Sequence, residues 1–103
     1  MVLSGKKLGL LLSGPPQGPG FAHGLRLAEK ALDRGAQVYL YCLDDAVTGL
    51  ERLQPLKARG ARVFACAYAA QRRQVPPSDL ATFAGLGVVS DLMAGADRFL
   101  HLP

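Results

Sequence analysis

Three short apolar runs, with stretches of helical periodicity between and after them, constrain this chain more than any other feature. Residues 8–13 read Leu-Gly-Leu-Leu-Leu-Ser, residues 37–43 read Gln-Val-Tyr-Leu-Tyr-Cys-Leu, and residues 61–66 read Ala-Arg-Val-Phe-Ala-Cys. Runs this short and this apolar fit strands buried on both faces, the habit of parallel sheets. Over residues 21–34 the period becomes helical: Phe21, Leu25, Ala28 and Leu32 share one face, and Arg26, Lys30, Asp33 and Arg34 fall mostly away from it. Gly35 stands where a helix C-cap belongs. Residues 47–59 are helical in composition but interrupted by Gly49 and Pro55, so two short pieces are expected, with Pro55 near the start of the second. A short helix after Cys66 stops at Pro76-Pro77, and Ser78 can cap the turn into Asp79-Leu80. Val88, Val89, Leu92, Met93 and Ala96 suggest one more helix ending near Gly95, with a closing strand over residues 98–102. The alternation implies an α/β fold, three-layer α/β/α, with a mainly parallel sheet of four to five strands. Right-handed crossovers then gather Ser13-Gly14, Asp44-Asp45 and Cys66 along one edge, where open α/β sheets bind their ligands.

Composition narrows the function classes. With 103 residues, half of them hydrophobic, the chain suits one compact domain with a real core. Its net charge of +4 comes mainly from scattered arginines, without a dense basic run or an aromatic-basic ladder, so no direct nucleic-acid binding is expected. An acidic protein partner or an anionic sulfur species fits the charge equally well. No apolar run approaches the ~20 residues of a membrane span, and the residues before the first strand are too few for a secretory signal. A reducing cytoplasm and no membrane contact are the expectation. Two cysteines, Cys42 and Cys66, do not make a disulfide framework. No C-x-x-C pair is present and His23 and His101 lie far apart in sequence, so no metal and no organic cofactor is expected.

The candidate site centres on Cys66, a cysteine ending a buried strand and feeding a helix that carries Arg72 and Arg73. Proximity to a helix N-terminus and to positive charge favours the thiolate, the reactive form of the thiol. The opposite reading makes Cys66 part of the core. Spacing from Cys66 to Arg72 also matches C-x5-R, the oxyanion loop of rhodaneses and cysteine phosphatases. Ala65 and Arg73 occupy the places where phosphatases carry His and Ser or Thr. The Gly14–Gly20 loop, Gly-Pro-Pro-Gln-Gly-Pro-Gly, matches neither a Walker loop nor a dinucleotide fingerprint, and its three prolines remove N–H donors that would hold phosphate. It reads as a rigid loop bordering the site or an interface. Asp44 and Asp45 suit a helix N-cap better than a metal or a general base, with Asp45 and Tyr68 placed at the border of the site. Cys42, inside a strand, reads as an inert small hydrophobe. His23 reads as an exposed helix residue, and His101 is given no role.

Cys66-Ala67-Tyr68-Ala69-Ala70-Gln71-Arg72-Arg73 resembles the active-cysteine segment of the DsrE/DsrF-like family, in its cysteine-bearing DsrE and TusD branch. Residues 28–32 with Gly35, residues 41–47, Gly85-Leu86-Gly87 and Ala96-Asp97-Arg98-Phe99 extend the likeness over nearly the whole chain. Three departures stand out, one of them a connection after Val47 that is short for the TusD branch. Gln74 follows the arginine pair where the family often has Gly, and Ala46 follows Asp45 where the family has Gly. The resemblance implies a single DsrE/F-like domain over residues 1–103 and a sulfurtransferase-type carrier. Such proteins hold sulfane sulfur as a persulfide on the cysteine and relay it to a partner thiol, in tRNA thiolation or in sulfur oxidation. It implies donor and acceptor proteins as partners, and trimers or hexamers formed alone or with paralogues. Arg72 and Arg73 would stabilise the anionic persulfide. The alternatives are a non-catalytic assembly subunit of the same fold, a rhodanese-like C-x5-R enzyme, and a thiol redox sensor.

Overall fold

The computed structural model describes residues 3–103. Its order is β1 (Lys7–Leu12), α1 (Pro19–Asp33), β2 (Gln37–Cys42), a 3-10 stretch (Asp44–Leu53), α2 (Gln54–Ala58), β3 (Arg62–Cys66), α3 (Ala67–Arg72), β4 (Thr82–Ala84), α4 (Gly87–Gly95) and β5 (Arg98–Leu102). The five strands form one all-parallel sheet in the order β4-β3-β2-β1-β5. β4 lies outside the apolar runs of the sequence. Its three residues are too few to show a period, and they become a strand because the open edge of β3 accepts them. The two helical pieces after β2 are present, with Pro55 opening the second and a kink at Gly49 inside the first.

The sheet order explains how the helices divide. From β1 to β4 the chain moves steadily towards one edge, so right-handed crossovers put α1, the 3-10 stretch, α2 and α3 on one face. The step from β4 to β5 runs back across the sheet and puts α4 on the other face. Strand alternation then sorts the side chains. Leu10, Leu12, Val38, Leu40, Cys42, Val63 and Ala65 face the first layer and are all buried. Phe21 of α1 is fully buried there, worth roughly 2–3 kcal/mol in transfer free energy. Gly35 ends α1 as expected: its φ is +86°, and the Ala36 N–H returns to the Ala31 carbonyl.

The second face is covered differently. α4 alone spans it, and none of its nine residues is buried. Met93 on α4 and Leu86 at its N-cap stand exposed. No described helix is long and apolar enough to cross a membrane.

Candidate functional site

All five strands point the same way, so their C-terminal ends share one edge, and Cys66 is the last residue of β3 there. Its backbone is still extended, with φ −65° and ψ 117°, and it serves as the N-cap of α3. The Cys66 Sγ accepts a hydrogen bond from the Ala69 N–H at 3.4 Å. That N–H is one of the donors a helix start leaves without a backbone partner, and an anionic sulfur accepts it more strongly than a neutral one. Cys66 is 4% exposed, yet its side chain lines a cavity of about 540 Å3 together with Leu43, Asp44, Tyr68, Ala69, Arg72, Arg73, Gly85 and Leu86.

Cys66, Tyr68, Arg72 and Arg73 therefore meet in one cavity, and Asp45 joins through an ion pair. Arg73 Nε donates to Asp45 Oδ1 at 3.0 Å, and its Nη1 reaches the Ala69 carbonyl at 3.4 Å. Much of the Arg73 charge is thus already answered. Arg72 has no carboxylate partner among the described residues. It donates to the Tyr68 hydroxyl one helical turn back at 3.0 Å, and its guanidinium sits 5.6 Å from the Tyr68 ring centroid. Tyr68 is 66% exposed, so this pair forms an open rim. The five residues between Cys66 and Arg72 are helical instead of wrapping the sulfur in a loop, which removes the cradle that the C-x5-R reading needs.

The structure adds a residue that spacing did not reveal. Tyr41 is fully buried, and its hydroxyl donates to the Ala84 carbonyl at 3.1 Å. Burial, and after it the adjoining Cys66, raises Tyr41 well above the ordinary phenol value. The signal in the sequence was the alternation of β2, which sends Tyr41 and Cys42 to opposite faces, and the need of a buried tyrosine for a hydroxyl partner. Cys42 is sealed on the other face, and burial pushes its thiol up to about 12.

Other sequence candidates fall elsewhere. The helical turn after β2 is capped by Leu43 without a side-chain bond, so neither aspartate is the expected cap. Asp44 takes φ +51° instead and lines the cavity, while Asp45 is committed to Arg73. The glycine-rich loop does not border the Cys66 cavity. It packs on the chain's last residue, where a Cβ on Gly20 would lie 1.8 Å from the Pro103 carbonyl oxygen. His23 is exposed on α1, and His101 pairs with the Ser13 hydroxyl at 2.7 Å. Ser78 caps its turn through the Leu80 N–H as expected. Among the described residues, no three His, Cys, Asp or Glu side chains gather as a metal site.

No curated protein sequence matches the chain. The sequence profile of the DsrE/DsrF-like family matches residues 6–102, a span that runs from the start of β1 to the end of β5 and takes in Cys66 and its helix. The chain belongs to the DsrE/DsrF-like family, which is generally associated with sulfur relay.

Proposed function

We propose that this protein carries sulfane sulfur as a persulfide on Cys66 and hands it to the thiol of a partner. The observation that carries the reading is the placement of the Cys66 Sγ: at the ligand-binding edge of a parallel sheet, on a helix N-cap with an N–H aimed at the sulfur, in a cavity rimmed by Arg72. The Cys66 thiolate attacks the outer sulfur of a donor persulfide. The new S–S bond makes Cys66–S–SH, and the donor leaves as its own thiolate. An acceptor thiolate then attacks the same outer sulfur, and Cys66 returns as thiolate. Atoms and charge balance in both steps without a further redox partner. The donor presents a persulfide and the acceptor a thiol to the rim formed by Tyr68, Arg72 and Leu86, and a reducing cytoplasm suits the free Cys66 thiol. Exposed Leu86 and Met93 on the thinly covered face support assembly into a trimer or hexamer, alone or with paralogues.

A second reading, an assembly subunit with a structural Cys66, draws on the 4% exposure of that residue. Intact-protein mass spectrometry after incubation with a persulfide donor separates the two. Wild type is expected to gain ~32 Da, reversibly with reductant, and Cys66→Ser to gain nothing. No adduct on wild type, or an equal adduct on the variant, moves the assignment to the assembly subunit.

A further inference from the structure

Arg73 and Arg72 are both engaged, on Asp45 and on Tyr68, so a nearer donor matters for the sulfur. β2 and β3 pair with Tyr41 opposite Phe64, and alternation puts Cys66, two residues further on, on the Tyr41 face. On β4 the residue opposite Cys66 is Ala84, and the Tyr41 hydroxyl ends on the Ala84 carbonyl. A side chain rooted on β2 that reaches β4 must cross β3, and it does so beside the Cys66 thiol. We propose that Tyr41 is a positioning residue for Cys66, its hydroxyl turning from the Ala84 carbonyl onto Sγ whenever that sulfur is anionic.

The turn is a rotation about the C–O bond, and the proton stays on oxygen. Burial and the adjoining Cys66 keep Tyr41 protonated beyond the ordinary phenol range, so the donor persists where a cysteine ionises. A hydroxyl bonds an anionic acceptor more strongly than a neutral carbonyl. Together with the Ala69 N–H it gives the sulfur two donors, one from the sheet and one from α3. That this holds the loaded persulfide ready for transfer rests on the carrier reading above; its hold on the thiolate does not.

The test is alkylation of the native protein by iodoacetamide across pH, read at the Cys66 peptide by mass spectrometry. Asp44, Tyr68, Arg72 and Arg73 face the same cavity, Asp45 pairs with Arg73, and Cys42 lies on the opposite face, so Tyr41→Phe leaves every other charge in place. Tyr41→Phe is expected to slow alkylation about three- to tenfold near pH 7. The deficit should be smaller at alkaline pH than near neutrality, where the hydroxyl's hold on the anionic sulfur decides how much of it forms. Equal rates near neutrality, or an equal deficit at every pH, would overturn the proposal. Should Tyr41→Phe fail to fold, 3-fluorotyrosine at position 41 keeps the shape and donates more strongly, and it should speed the neutral reaction; an unchanged rate counts against Tyr41. Sulfur loading separates the two readings. Equal loading of wild type and Tyr41→Phe refutes the Tyr41 role in transfer alone. A wild type that never loads while the alkylation profile still moves refutes the carrier and leaves Tyr41 with the thiolate.

Discussion

Cys42 and Cys66 sit on adjacent strands of one sheet, and their surroundings could hardly differ more. Cys42 faces the layer of α1, the 3-10 stretch, α2 and α3, where Phe21, Leu10, Leu12 and Leu40 are fully buried. Cys66 alternates to the opposite side at the sheet edge, with a cavity against its sulfur lined by α3 and by Gly85 and Leu86. One thiol is sealed in packing and the other opens on a cavity. Alternation and strand position cause the difference: Cys42 points into the fully covered face, whereas Cys66 ends β3 where the start of α3 and residues 43–44 and 85–86 surround the cavity. The cavity edge also carries the backbone strain. Among the described residues the non-glycine positive φ values are Asp44 at +51°, which lines the cavity, and Gln74 at +57°, just beyond the Cys66 helix.

The largest test of this contrast compares packing on the two faces. Phe21→Ala is expected to cost about 3–5 kcal/mol in denaturant unfolding. Met93→Ala, at a residue 60% exposed on α4, should stay within about 0.5 kcal/mol in dilute protein. A larger loss at Met93 that grows with protein concentration would confine the contrast to the single protomer, because a second chain, as in the proposed assembly, would then be covering the α4 face.

Alkaline stability sharpens the comparison of the cysteines. The folded Cys42 thiol lies at about 12 against an ordinary 9.0, so the folded state holds its proton where the unfolded chain has lost it. Stability is therefore intact below about pH 9 and falls as pH rises towards about 12, by roughly 1.4 kcal/mol per pH unit. Tyr41 adds a fall of the same sign, so the useful quantity is the difference between wild type and Cys42→Ala, measured by denaturant midpoints near pH 8 and pH 11. Wild type should lose more. Parallel losses would show that Cys42 is not sealed.

The smallest effect lies at Gln74. It ends α3 in the left-handed region while the Val75 N–H returns to the Ala70 carbonyl, a helix stop that suits glycine. Gln74→Gly should raise stability by roughly 0.5–1 kcal/mol, with Cys66 loading unchanged. A loss of stability would mean that the Gln74 side chain contributes more than its backbone costs.

The departure at Gln74 was legible in the sequence, but its cost was not, because φ is a property of the folded turn. β4 escaped for a related reason. Thr82-Phe83-Ala84 has no pattern of its own and acquires strand geometry only by pairing with Phe64, Ala65 and Cys66. The aspartates misled because acidic residues after a strand normally cap a helix, whereas here Arg73, distant in sequence, recruits Asp45.

The sequence by itself determined what depends on local pattern. The apolar runs set the first three strands and the buried face of β3, the periodicity and Gly35 set α1 and its end, and the strand-to-helix junction set Cys66 at the ligand edge. Those features follow from side chains one strand pair or one helical turn apart. Only the tertiary structure decided which charges meet the sulfur. Arg73 is taken up by Asp45 and Arg72 by Tyr68, while Tyr41 reaches past Cys66 to Ala84. The Arg72–Tyr68 pair is local, one turn of α3, but the other two contacts join residues far apart in sequence, and their geometry exists only once the sheet has closed in the order β4-β3-β2-β1-β5.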